Sequence, residues 1–302
     1  MAPKHKGGTR PARPPPDQFA LDSKLSVSPM KFPFAGYTSI VGVHSTLLLF
    51  VALFLPRTTI LLDPSLAPKP VASQLTSRDK PQHPFLAPLT LNPTWTMACV
   101  CAGAVVLQAW WGGWIRRWWI ELVVLNGTDD QVEKRDKVIQ KKLKDIRDGW
   151  IATLLASVAF HIILVLFGAP ITSHVLQTYL LGLLLSIMVV FPPAYTLGIP
   201  FSKGDTESFV IRMTWVRLFA EFSSRNSVER AMVYPALGAV AGSWVGVIPI
   251  ALDWDRPWQA WPLTPAFGIV SGYVIGSIAA LTVSGTINLA DEHVRAVKSK
   301  TQ

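Results

Sequence analysis

The sequence predicts an all-α, polytopic membrane protein with about six transmembrane helices and both termini cytosolic. Three observations predict it. Of 302 residues, 50% are apolar and 16% charged, where a soluble domain carries about 25% charged residues. The apolar residues are bunched into six runs of span length. The Lys and Arg behind the net charge of +9 fall almost entirely on alternate connecting segments. This composition excludes a disordered chain, a coiled coil and a disulfide-stapled secreted module, and it argues against an ordinary soluble enzyme. A basic excess can mark a nucleic-acid binder, but here its distribution points to membrane topology, so no nucleic-acid partner is expected.

A bilayer core of about 30 Å takes roughly 20 apolar residues as helix, because no water is present there to satisfy the backbone. The first span runs from about Tyr37 to Leu55 and the second from about Pro93 to Trp111, ending in the cluster Trp110, Trp111, Trp114, Trp118 and Trp119. The third begins near Trp150 and ends at Phe167, and only Gly168–His174 separate it from the fourth, about Val175–Leu197, in a tight hairpin. The fifth covers about Met232–Leu252 and the sixth about Pro262–Val283, with Trp150, Tyr234 and Trp261 at interfacial positions. Pro192-Pro193 mark a kink or a helix end. Six spans place both termini on one side, and 23 of the 28 Lys and Arg lie there. That asymmetry makes the side cytosolic.

Residues 1–33 are a basic, Pro-rich cytosolic tail with too little apolar surface to fold alone. Residues 34–283 form the six-helix transmembrane domain, with a charged cytosolic loop at 112–149 and an interfacial amphipathic helix near 205–225; residues 284–302 are a cytosolic tail. Within the charged loop, 129–148 alternates charge at helical spacing, as a solvated helix or a docking surface does. Phe209, Met213, Val216, Phe219 and Phe222 beside Arg212 and Arg217 make the amphipathic stretch. The first loop, Arg57–Asn92, is punctuated by proline and reads as an extended lumenal excursion.

The last two spans carry the unusual residues. Gly238, Gly242 and Gly246 recur every four residues in the fifth, and Gly268, Gly272 and Gly276 in the sixth. Residues four apart share a helix face, so each helix presents a groove that admits close backbone approach. The two grooves pack on each other, or at least one receives a helix from another protein. Between them lies Asp253-Trp254-Asp255-Arg256-Pro257-Trp258-Gln259-Ala260-Trp261-Pro262. Asp253 and Asp255 read as metal ligands or a carboxylate pair, as caps or ion-pair partners of Arg256, or as head-group or partner contacts, with Trp254, Trp258 and Trp261 anchoring the interface.

That turn, preceded by Gly246 and Pro249 and followed by a glycine-rich helix, resembles the PIG-F family of glycosylphosphatidylinositol (GPI) anchor biosynthesis. The likeness is close over residues 231–283, and the six-span layout extends it to most of the membrane part; the N-terminal tail and the charged 129–148 segment look like additions. The resemblance implies a non-catalytic subunit of the endoplasmic reticulum membrane. It would bind and stabilise, as a heterodimer, the large GPI ethanolamine phosphate transferase catalytic subunits that act on the third and second mannoses. Those partners carry a metal-dependent, alkaline-phosphatase-like lumenal domain. The family's contact region maps onto Asp253, Trp254, Asp255, Arg256, Pro257 and Trp258, with no catalytic residue, metal ligand or cofactor carried over.

The residues themselves agree. Phosphoryl-type transfer needs a cluster of hard ligands and a nucleophile, and the sequence has no Gly-x-Ser-x-Gly, His-Glu-x-x-His or phosphate-binding glycine loop. Cys99 and Cys101, two apart on a helix, face different sides. His44 and His161 are expected to hydrogen-bond neighbouring helices. Asn126-Gly127-Thr128 matches a glycosylation acceptor but falls on the cytosolic side. The alternative is a lipid transporter or flippase of the endoplasmic reticulum handling GPI intermediates or phosphatidylethanolamine. Transporters place ionisable groups at mid-membrane, usually at a repeat interface, and neither mid-span acidic residues nor a repeat is seen. Lys298 and Lys300, fifth and third from the end, match a Lys-x-Lys-x-x retrieval signal for endoplasmic reticulum membrane proteins.

Overall fold

Asparagine followed by a first turn suited to helix opens two of the membrane helices. The computed structural model describes residues 32–58, 83–124, 142–200 and 206–300. In it Asn92 caps one helix by accepting a hydrogen bond from Trp95 N at 3.1 Å, with Pro93 as its first residue. Asn226 caps another by accepting from Glu229 N at 2.8 Å. Such caps satisfy amide groups that a helix start leaves unpaired.

The elements are α1 (Phe34–Phe54), extended by a 3₁₀ turn Leu55–Arg57; the short α2 (Ala87–Thr90); and α3 (Pro93–Trp119), extended by a π turn Ile120–Val124. Then come α4 (Lys142–Leu166), α5 (Val175–Val189), α6 (Phe191–Leu197) and α7 (Thr206–Phe219). Last are α8 (Ser227–Val245) and α9 (Leu263–Lys300), joined through 3₁₀ turns Ile248–Ala251 and Pro257–Gln259. Among the described residues there is no strand. Six stretches are long and apolar enough to cross a membrane: Phe34–Arg57, Pro93–Leu122, Lys142–Leu166, Val175–Leu197, Ser227–Ala251 and Leu263–Lys300. The number and order are those the sequence predicts.

The boundaries differ at four ends, each for a local reason. Helix α3 continues through the tryptophan cluster, because Trp111, Ile115 and Trp118 fall on one helical face and are all buried. Helix α4 begins at Lys142, so its first two turns are charged. Helix α8 begins at Ser227, which brings Glu229 and Arg230 into the buried part. Helix α9 runs unbroken to Lys300, since the sequence past Gly285 holds neither glycine nor proline to stop it. The fourth span divides at Val190, with Pro192 in the first turn of α6. Helix α7 turns Trp215 and Leu218 inward and leaves Phe209, Met213 and Val216 about half exposed on one stripe. The expectations for residues 1–31, the middle of the first loop, 125–141 with its glycosylation match, and 301–302 lie outside the described residues.

Helices α3 and α5 occupy the middle of the bundle, α4 lies against α5 and α6 at its margin, and α8 and α9 make the most intimate pair. One buried cluster joins Leu48, Met97, Leu107, Leu184, Ile187 and Ile269. A second gathers Tyr37, Trp111, Trp118, Leu218, Val228 and Met232. It lies at the end of the bundle where α1, α4 and α8 begin and α3 and α6 finish. The turn between α8 and α9 lies at the opposite end.

Candidate functional site

Six glycines make the hairpin of α8 and α9. A Cβ placed on Gly242 would lie 3.1 Å from the Gly272 Cα and closer than 3.0 Å to the Gly268 carbonyl carbon. One on Gly238 would lie 3.3 Å from the Gly276 Cα, with the Gly272 carbonyl nearer still. Gly246 packs against Thr264 and Pro265, and Gly276 against Tyr234 and Pro235. The two glycine faces therefore fill one another within this chain. This corrects the reading in which one of these glycine faces is itself the seat of a helix from another protein: each is taken up by the other.

The turn that closes the hairpin is organised by a residue the sequence did not single out. The side chain of Gln259 accepts from Arg256 N at 2.7 Å and donates through Nε2 to the carbonyls of Pro249, at 2.5 Å, and Leu252, at 2.7 Å. Three main-chain groups of an irregular segment are thus tied to one amide, which offers both donors and an acceptor. Trp261 is half-buried and donates through Nε1 to Thr178 Oγ1 at 3.0 Å, so it fastens the turn to α5. Trp254 and Trp258 lie with ring centroids 5.7 Å apart. Asp253, Trp254, Asp255 and Pro257 are exposed, and Arg256 is half-buried. Among the described residues no ion pair joins Arg256 to Asp253 or Asp255, so the ion-pair reading of these carboxylates is not realised.

At the opposite end the buried charged side chains are all hydrogen-bonded. Arg217 donates to both Glu229 oxygens, at 3.0 and 2.6 Å, and Arg225 N donates to Glu229 Oε2 at 2.6 Å. The hydrogen bond to Glu229 raises the Arg217 pKa above the usual guanidinium range. Arg230 donates to Ser284 Oγ at 2.9 Å and so ties α8 to α9. Arg116 pairs with Asp145 at 2.5 Å and donates to the Tyr195 carbonyl at 2.8 Å, joining α3, α4 and α6. Sequence spacing could not reveal these pairs, because each joins separate helices or a helix to a loop.

Among the described residues no group of three or more His, Cys, Asp or Glu could hold a metal ion. Cys99 and Cys101 are buried and free. His44 is stacked on Trp111 at 4.9 Å, and among the described residues neither its buried Nε2 nor the buried Nδ1 of His161 has a hydrogen-bond partner. Aromatic rings, Trp111 of α3 beside His44 and Tyr179 of α5 beside His161 at 6.1 Å, stand where hydrogen-bond partners were expected. Lys298 and Lys300 lie in the last turn of α9.

Fold and site together define a class: a multi-pass helical membrane protein whose buried charges serve helix-to-helix pairing and whose tightest contact is backbone on backbone. The model of the GPI biosynthesis protein family Pig-F matches residues 82–281, and the chain belongs to that family. It is 28% identical over 183 residues to the human protein named GPI ethanolamine phosphate transferase, stabilizing subunit, covering 61% of this chain and 73% of that protein. The mouse protein of that name is 34% identical over the same shares. Glycosylphosphatidylinositol anchor biosynthesis protein 11 of Pyricularia oryzae is 39% identical over 44% of this chain and 45% of its own length. No solved structure matches.

Proposed function

We propose that this chain is a non-catalytic subunit that binds and stabilises ethanolamine phosphate transferases of GPI-anchor biosynthesis, those acting on the third and second mannoses. It would do so as a heterodimer in the endoplasmic reticulum membrane, with both termini cytosolic. The observation that carries the reading is the family match over 82–281, with mammalian relatives named as stabilizing subunits of such a transferase. The charge asymmetry of the connecting segments supports the topology. The paired state of Glu229 and Asp145 supports a structural role for the buried acids. Residues Asp253–Trp258, held outward by Gln259 and Trp261, are the surface offered to a partner or to lipid, and the interlocked glycines set the rigidity of the hairpin that presents them.

The test is purification of the full chain in mild detergent from cells that make GPI anchors. A large transferase should accompany it in stoichiometric amount. Gly242→Leu or Gly272→Leu should lower both co-purification and transferase abundance, with GPI intermediates lacking the third-mannose phosphoethanolamine accumulating. Full partner levels in those variants would refute the role of the hairpin. Transfer by the chain alone from a donor phospholipid would refute the reading as a whole, and a lone chain that moves labelled lipid between leaflets would favour a transporter.

A further inference from the structure

Beside the glycine crossing lies an apolar crevice of about 690 Å³, within the roughly 300–1,000 Å³ of sites that enclose small molecules. The hairpin forms one wall, with Gly242, Val245, Phe267 and Ile275; Leu53 at the end of α1 and Leu89 of α2 form the other. Because the glycines bring the two backbones together without side chains, the crossing leaves this hollow along its flank. A second, shallow cavity of about 400 Å³ is lined by Asp253, Trp254, Arg256 and Trp258. Trp258 lines both, so an apolar slot and a polar mouth holding one guanidinium, one carboxylate and two indoles share a wall.

We infer that this composite site binds a single zwitterionic phospholipid, with an acyl chain in the crevice and the head group at the Asp253–Trp258 turn. Three observations select that occupant. First, the crevice is lined by apolar side chains along the roughly 12 Å of helix between Gly238 and Gly246, at 1.5 Å per residue, a lining suited to an alkyl chain. Second, the mouth offers complementary charges that do not neutralise each other: Arg256 for a phosphate, and Asp253 with the faces of Trp254 and Trp258 for an ammonium. Third, Trp258 lines both the apolar slot and the polar mouth, so one molecule with an apolar and a zwitterionic part can occupy both. The site stands apart from the subunit reading, since a chain without a transferase would still retain the lipid.

Native mass spectrometry of the full chain in mild detergent, titrated with matched palmitoyl-oleoyl phosphatidylethanolamine, phosphatidylcholine and phosphatidylglycerol, tests this. One zwitterionic lipid should be retained about tenfold more than the anionic one, the scale of one charge-assisted contact. Preference for ethanolamine would assign the ammonium to Asp253, and preference for choline would assign it to the indoles. Arg256→Gln on the exposed turn should reduce retention about tenfold, and Ala241→Phe, from an exposed position lining the crevice, should abolish it. Unfolding temperature in lipid-free detergent confirms that each variant is folded. Equal retention of the three lipids, or unchanged retention in both folded variants, would overturn the site. So would loss of a co-purifying transferase in Ala241→Phe with lipid retention intact, which would make the crevice a protein interface.

Discussion

A single amide side chain and a single carboxylate settle the two ends of the fifth and sixth spans. Gln259 satisfies three main-chain groups of the turn, and leaving such groups unpaired costs about 1–3 kcal/mol. Gln259→Ala should therefore lower the unfolding temperature in detergent and loosen Trp254, read as a shift in tryptophan emission. An unchanged melting curve and spectrum would mean the turn is held by other means. Glu229 is 3% exposed at its side chain and holds Arg217 with two hydrogen bonds. Glu229→Gln should cost roughly 3–5 kcal/mol, because it strands a partly buried guanidinium, whereas replacing both partners by apolar residues should cost much less; comparing the melting of single and double variants checks this. Neither residue was legible in the sequence. Gln259 sat among three indoles and two carboxylates that drew attention as chemistry. Glu229 lay three residues outside the predicted start of the fifth span, so its burial had no sequence signal.

At the scale of elements the sequence was far more informative. The positions of all six spans follow from hydropathy, and the four-residue glycine spacing marked the α8–α9 pair as a close crossing. Which surface filled those grooves was not legible, since an apolar small-residue face fits a helix of the same chain or of another. Packing decides it, and the decision has a measurable signature. Gly242→Ala drives a methyl group toward the Gly268 carbonyl and should cost about 1–3 kcal/mol, as overpacking does. Gly42→Ala in α1 meets nothing within 4 Å and should stabilise the helix by about 0.5–1 kcal/mol. Opposite shifts in unfolding temperature for two identical substitutions would confirm that proximity, not helix propensity, governs the hairpin. Helix ends were the weakest inference, because a run of charge stops a membrane span but not a helix.

For the whole molecule, the length of α9 is the feature the sequence concealed most completely. Its 38 residues correspond to roughly 57 Å at 1.5 Å per residue, nearly twice the roughly 30 Å thickness of a bilayer core. Spin labels at Thr286→Cys and Ser299→Cys, with native Cys99 and Cys101 buried, should give one narrow distance near 20 Å, the rise of 13 residues; a broad distribution would mean that the helix frays. The clustered starts of α1 and α8 and ends of α3 and α6 show how six spans close into one bundle, a result already implicit in their number. If the helix holds its length in the bilayer, Lys298 and Lys300 do not trail from the lipid surface on a loose string. They stand at the tip of a mast stepped into the glycine crossing. Any tilt imposed on the hairpin at one face of the membrane then swings those lysines through an arc on the other, coupling what touches the turn to what reads the tail.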